Sequence, residues 1–232
     1  MSKKIAIITA RGGSKRIPNK NIKDFCGKPI ISYSIEAALE ANLFDEVMVS
    51  TDSEEIAKIA RSYGASVPFL RSEENSNDFA TTSQVILEVI ECYEKLGQKF
   101  EYAACIYPTA PFVTAEKLQH AMVLLEQNKV VEVMPVVKFS YPPQRGYIIK
   151  EEKLVMTNPE HVNTRSQDLE SIYHDCGQFY CYDIARYKAL NGQITEGLLP
   201  IVVKESEVQD IDTLEDWKLA ELKYQMMRKV EK

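Results

Sequence analysis

The chain has no Cys-x-x-Cys pair, and its five cysteines (Cys26, Cys92, Cys105, Cys176 and Cys181) are odd in number. That argues against a disulfide framework or a thiolate zinc site, and a reducing, cytoplasmic compartment is expected. No apolar run approaches the roughly 20 residues of a membrane helix, so no membrane partner is expected. Met1-Ser2-Lys3-Lys4 leads into an apolar stretch too short for a secretory signal. The formal net charge is −6 rather than positive, which argues against a nucleic-acid partner. Three familiar chemical signatures are missing as well. There is no Gly-x-Ser-x-Gly elbow for a hydrolase, no Walker A loop, and no G-x-G-x-x-G dinucleotide fingerprint. No internal repeat or low-complexity stretch stands out.

What is present is the composition of an ordinary globule. Of 232 residues, 45% are hydrophobic and 27% charged, enough for one large α/β domain. Apolar runs and amphipathic segments alternate. Strands are expected at Ile5–Thr9, Glu46–Ser50, Val67–Leu70, Tyr102–Ile106 and Val130–Val137. Helices are expected at Pro29–Ala41, Ser53–Tyr63, Thr81–Leu96 and Thr114–Asn128. Ser53 or Asp52 is the cap and Gly64 the stop of the second helix. This βαβα rhythm predicts a mainly parallel sheet with helices on both faces.

The rhythm breaks at residues 138–175, which are rich in Tyr, Pro, Arg, Asn and Gln. Ile148-Ile149 and Leu154-Val155 suggest a hairpin there. An irregular insert of that length reads as a lid or a dimer arm within a single domain. A strand at Gln178–Tyr182, a short helix at Ile184–Leu190, a strand at Ile201–Val203 and a helix at Thr213–Val230 follow.

The most informative segment is the first loop. Ile5-Ala6-Ile7-Ile8 runs into Ala10-Arg11-Gly12-Gly13-Ser14-Lys15-Arg16-Ile17-Pro18-Asn19-Lys20-Asn21. Paired glycines let backbone N–H groups converge on an anion, and Arg11, Lys15, Arg16 and Lys20 supply positive charge beside them. A polyphosphate is the fitting partner. In a parallel sheet the ligand lies at the carboxyl ends of the strands. The loops at Ser50–Asp52, Arg71–Thr82, Tyr107–Pro111 and Asp210–Asp212 are then its other neighbours.

Asp210-Ile211-Asp212 places two carboxylates on one face of an extended segment, which suits a Mg²⁺ that also binds phosphates. Alternatively, Asp212 caps the last helix. Thr81, Thr82 and Ser83 read as caps or as contacts to a base. Tyr107 and Thr109 lie in a rigid turn and line a pocket or merely shape the loop. Arg145 and Arg165 suit bidentate capture of a carboxylate, with Tyr173, His174, Asp175 and Gln178 close by in sequence. His174 beside Asp175 invites a catalytic pair, but sequence neighbours rarely form one.

These stretches resemble the acylneuraminate cytidylyltransferase family, the CMP-sialic acid synthetases. Besides the first loop, the matching stretches are Gly27-Lys-Pro-Ile30, Ser50-Thr-Asp52, Pro108-Thr-Ala-Pro111, Arg165-Ser-Gln-Asp-Leu169 and Asp210-Ile-Asp212. They fall in order over nearly the whole chain. The resemblance implies a three-layer, Rossmann-like α/β/α nucleotidyltransferase fold, CTP as donor, Mg²⁺ as cofactor, and a homodimer whose arm is the 138–175 insert. It implies that Ala10, Arg11, Gly12, Gly13, Ser14 and Lys15 cradle the CTP phosphates and that Lys20 approaches the α-phosphate. Asn21 and Arg71 would read cytosine with help from Thr82 or Ser83, and Asp210 and Asp212 would hold Mg²⁺. Arg165 would sit on the sugar side, near Gln178.

Family members that act on sialic acid carry a glutamine where this chain has Tyr107. They carry an Asn-Gly-Ala-Ile-Tyr-like strand where it has Cys176-Gly-Gln-Phe-Tyr-Cys181. Tyr107 and Tyr180 should both face the sugar, and together with Tyr141-Pro-Pro-Gln-Arg145 they resemble the pseudaminic acid branch. A deoxy, diacetamido sugar favours such apolar contact. The implied reaction is attack of the sugar acid's anomeric 2-hydroxyl on the α-phosphorus of CTP, with release of pyrophosphate. Arg11, Lys15 and Lys20 would stabilise the developing charge, and Asp210 is the candidate base. The alternatives are legionaminic, neuraminic or 3-deoxy-octulosonic acid as substrate, a GT-A glycosyltransferase, or a catalytically silent nucleotide-binding protein.

Overall fold

A computed structural model describes residues 2–230, with side chains through residue 228. The first strand, β1 (Lys4–Thr9), is buried at its centre because Ile5 and Ile7 face one helical layer while Ala6 and Ile8 face the other. A short hairpin follows, β2 (Asp24–Phe25) and β3 (Lys28–Pro29), turned by Cys26 at φ 52° and Gly27 at φ 103°. The sequence pattern did not anticipate it. Helix α1 (Ile30–Glu40), strand β4 (Glu46–Ser50) and helix α2 (Glu54–Ser62) come next. Ser53 caps α2 by accepting the Ile56 N–H at 3.4 Å, and Gly64 ends the turn after it at φ 92°.

The strand expected at Val67–Leu70 does not form. The residue before it, Ser66, makes an isolated bridge to Met48, and Pro68 then removes a donor that a ladder would need. The chain runs as a loop into α3 (Thr82–Lys95), whose start is a capping box between Thr81 and Gln84. Then come β5 (Tyr102–Ile106), α4 (Ala115–Asn128) and β6 (Glu132–Lys138).

The insert carries the expected hairpin, β7 (Tyr147–Lys150) and β8 (Lys153–Met156), and returns through β9 (Tyr173–Asp175). The chain closes with β10 (Phe179–Asp183), α5 (Ile184–Ala189), β11 (Leu198–Val202) and α6 (Leu214–Val230).

The central sheet has seven strands in the order β11-β6-β10-β5-β1-β4, with β9 paired to β6. Strands β4, β1 and β5 are parallel neighbours and β11 is parallel to β6, whereas β10 runs antiparallel between β5 and β6. One face is covered by α1, α2 and α4 and the other by α3 and α5. Helix α6 packs apart, where Trp217, Ala220 and Tyr224 bury Phe25, Ile30 and Phe112. The loops that follow β1, β4 and β5 therefore emerge at one edge of a rigid sheet.

Candidate active site

Those loops enclose a cleft of about 490 Å³. Its lining includes Arg11, Ser14, Lys15, Arg16, Lys20 and Asn21 from the first loop. Arg71, Asn75, Asn77, Asp78 and Thr82 also line it, as do Tyr107, Pro108 and Thr109. Five cations, Arg71 among them, thus share a concave space in an acidic protein.

The loop is held from several sides. Asn21 is buried and donates from Nδ2 to the Arg11 carbonyl at 2.8 Å. Asp52 Oδ1 accepts the Gly12 N–H at 2.7 Å. A side chain at Gly12 would meet Ser53 Cβ at 3.2 Å, so close approach to the start of α2 explains that glycine.

Three of the backbone donors expected in the cradle are engaged within the protein. The Gly12 N–H is taken by Asp52, the Ser14 N–H by the Gly12 carbonyl, and the Ala10 N–H by the Ser50 carbonyl. Gly13 has no neighbour that demands a glycine. The formal positive charge of the cleft is carried by the Arg11, Lys15, Arg16, Lys20 and Arg71 side chains.

The Asp78 carboxylate lies against two of these cations. Arg11 donates to it at 2.9 Å and Lys15 also pairs with it. Lys15 first, and Arg11 after it, hold the Asp78 carboxyl below its usual range. On the other side, Arg16 pairs with Asp212 at 2.7 Å, and Lys20 donates to the Ile211 carbonyl at 2.7 Å with Asp212 at 3.6 Å. The acidic segment after β11 is thereby tied to the first loop.

Arg71 is 8% exposed and donates to Ser50 twice, to Oγ at 3.0 Å and to the carbonyl at 2.5 Å. Burial pulls its pKa down, against the opposing pull of Asp52 and Glu88. Its fork is fixed to the end of β4, so its place in the cleft is set by the sheet. Thr82 Oγ1 lies 3.2 Å from the Tyr107 hydroxyl, and burial raises the Tyr107 pKa.

Several predicted residues lie elsewhere. Ser83 donates to the Gly192 carbonyl at 3.0 Å and braces the end of α5. Gln178 is 2% exposed and donates to the Glu207 carbonyl at 2.7 Å, so it is a core residue. Arg165 pairs with Asp168 at 2.7 Å, three residues on, and Arg145 reaches Ser166 at 3.4 Å. Both arginines, with Tyr173, sit on the exposed insert and outside this chain's cleft. Tyr180 is buried behind Tyr107, their rings edge to face at 5.5 Å.

His174 and Asp175 form no side-chain pair; the His174 ring packs on Phe139 at 4.6 Å and its Nδ1 meets the Asp175 carbonyl at 2.8 Å. The cap of α6 is Thr213 with Asp216, which leaves Asp212 facing Arg16 and Lys20.

Sequence reasoning missed the role of Asp78 and the contributions of Asn75 and Asn77. A search for the counter-ion that Arg11 and Lys15 require would have pointed to the polar stretch after Arg71.

Asp210 is exposed and Asp212 half-exposed beside the cleft. No group of three or more His, Cys, Asp or Glu residues suited to a metal is found among the described residues. Two hard oxygen donors nevertheless fit a divalent cation that takes its other ligands from phosphate and water.

The cytidylyltransferase family profile matches residues 5–217. The pseudaminic acid cytidylyltransferase of Campylobacter jejuni subsp. jejuni serotype O:2 is 40% identical over 97% of this chain and 97% of its own. The CMP-N,N'-diacetyllegionaminic acid synthase of Legionella pneumophila is 34% identical over 94% of each chain. Among solved structures, CMP:2-keto-3-deoxy-manno-octonic acid synthetase complexed with CTP superposes with a TM-score of 0.68, covering 98% of this chain and 100% of its own. At 16% identity that likeness establishes the shared fold.

Proposed function

The chain belongs to the cytidylyltransferase family and is a nucleotidyltransferase, and on that ground we propose that it transfers CMP from CTP to pseudaminic acid with release of pyrophosphate. The observation that carries the reading is one cleft lined by Arg11, Lys15, Lys20 and Arg71 together with Tyr107. Arg11, Lys15 and Lys20 bind and neutralise the triphosphate, and Arg71 and Asn21 meet the base. Tyr107 and Thr109 form the sugar-acid end, and Thr82, expected beside the base, joins them here because its hydroxyl lies 3.2 Å from that of Tyr107. A tyrosine ring there favours a deoxy sugar with few hydroxyls over a heavily hydroxylated one. Phosphoryl transfer gains chiefly from such positioning and electrostatics.

Asp210 and Asp212 would hold Mg²⁺, which supplies further neutralisation of phosphate charge when bound. Asp210, the more exposed of the two, is also the candidate acceptor for the 2-hydroxyl proton.

The reading extends to the assembly. The protein is one domain, and its 138–175 insert is the arm of a homodimer. The exposed Ile148, Ile149, Leu154 and Val155 of the β7–β8 hairpin support this. Arg145, Arg165 and Tyr173 on the same insert would then serve the partner's cleft. All five cysteines are free, in keeping with a reducing cytoplasm. No helix among the described residues is long and apolar enough to cross a membrane.

Pyrophosphate release with CTP and Mg²⁺ tests the function, with pseudaminic and N-acetylneuraminic acids side by side. Release with pseudaminic acid alone is expected. Release with N-acetylneuraminic acid alone keeps the family and overturns the substrate.

A further inference from the structure

Asp175 ends β9 and takes no part in the cleft lining. Its carboxylate nevertheless has two donors. The Gly177 N–H reaches Oδ1 at 2.8 Å, and the Tyr180 hydroxyl donates to Oδ2. Gly177 turns at φ 61°, a conformation that strains other residues, so this small loop presets the carboxylate.

Tyr180 is 8% exposed, and its ring packs edge-on against Tyr107 at 5.5 Å. Tyr107 in turn is pinned by its backbone, with its N–H on the Gln178 carbonyl at 2.8 Å and its carbonyl accepting Ser34 Oγ at 2.7 Å. The ring packs at the margin of both core clusters, and its named side-chain contacts are the Tyr180 ring and the Thr82 hydroxyl.

We propose that Asp175 is a positioning residue for the sugar-acid end of the cleft: it holds the Tyr180 hydroxyl, and the Tyr180 ring fixes Tyr107. The claim rests on the reading that Tyr107 faces the sugar acid. A buried tyrosine hydroxyl needs a partner, and a carboxylate acceptor makes a strong directional bond. Without it Tyr180 is free to reorient, and the surface under the Tyr107 ring goes with it. The cations of the first loop pair with Asp78, Asp212 and the Ile211 carbonyl and share none of these contacts, so the loss must fall on one substrate only.

Two variants test this, Asp175→Ala and Tyr180→Phe. Asp175 is exposed and Phe keeps the ring, so both should fold. In free protein labelled with ¹³Cζ-tyrosine, with Tyr107→Phe assigning the signal, both variants should shift the Tyr107 resonance. An unmoved resonance overturns the proposal. In turnover, both should raise KM for the sugar acid about ten-fold, the scale of one hydrogen bond to a charged group, with KM for CTP unchanged. The double variant should be no worse than the worse single one, because both break the same link. Equal rises for both substrates, or effects that multiply, overturn it too. If the unaltered protein turns over no sugar acid, the functional reading fails, and the Tyr107 resonance still decides whether Asp175 positions that ring.

Discussion

The Asp78 carboxylate bridges Arg11 and Lys15, across 67 and 63 residues of sequence. An anion already occupies the position that the cations would offer to a phosphate. Asp78→Asn should therefore lower KM for CTP by about two- to five-fold at low ionic strength, a modest effect because exposed ion pairs are weak. Added salt should shrink the difference. Steady-state kinetics over a salt series checks this, and a raised KM would instead make Asp78 an organiser of the two cations.

Arg11 and Lys15 themselves should be indispensable. Lys15 is largely exposed, so its loss costs the fold little. Arg11→Ala or Lys15→Ala should cut turnover on the order of a hundred-fold or more, as loss of a donor to developing charge does. Pyrophosphate release alongside circular dichroism separates a catalytic defect from unfolding. Near-normal kinetics in either variant would remove both residues from the phosphate site.

Asp210 offers a separable test of the metal. Chelation should stop turnover and leave the circular dichroism spectrum unchanged. Asp210→Asn should raise the Mg²⁺ needed for half-maximal rate by at least the roughly ten-fold that even outer-sphere changes cost. An unchanged Mg²⁺ requirement would place the metal elsewhere.

The first strand, the caps at Ser53 and Thr81 and the 147–156 hairpin were legible because each is written in a few neighbouring residues. Pro68 hid the failure of the third strand, since Val67-Pro-Phe-Leu70 keeps an apolar look while lacking a donor. The Cys26-Gly27 turn was passed over although two left-handed residues in a row build a tight hairpin. The cations of the first loop could be named from sequence, but not their partners. Asp78 and Asp212 reach them from about 60 and 190 residues away, through a sheet that had first to form. The Gly12 N–H was assigned to an anion, and only the fold brings Asp52 to it.

Glu132 opens β6 on the face that bears Tyr182 and is 7% exposed. Burial, and after it the charge of Asp175, raises its pKa from 4.5 to about 7. Below the ordinary value both folded and unfolded chains carry the proton, and Glu132 adds no pH dependence. Between the two values the unfolded chain releases its proton while the fold keeps it, so stability falls as pH rises. Above the folded value the loss is complete, roughly 3 kcal/mol at most. Glu132→Gln keeps the shape and cannot ionise. Urea unfolding at pH 5 and pH 8 should therefore show the unaltered protein losing more stability than Glu132→Gln across that interval. Parallel losses in the two proteins would mean that Glu132 is ionised in the fold, with a cation or water reaching its carboxylate.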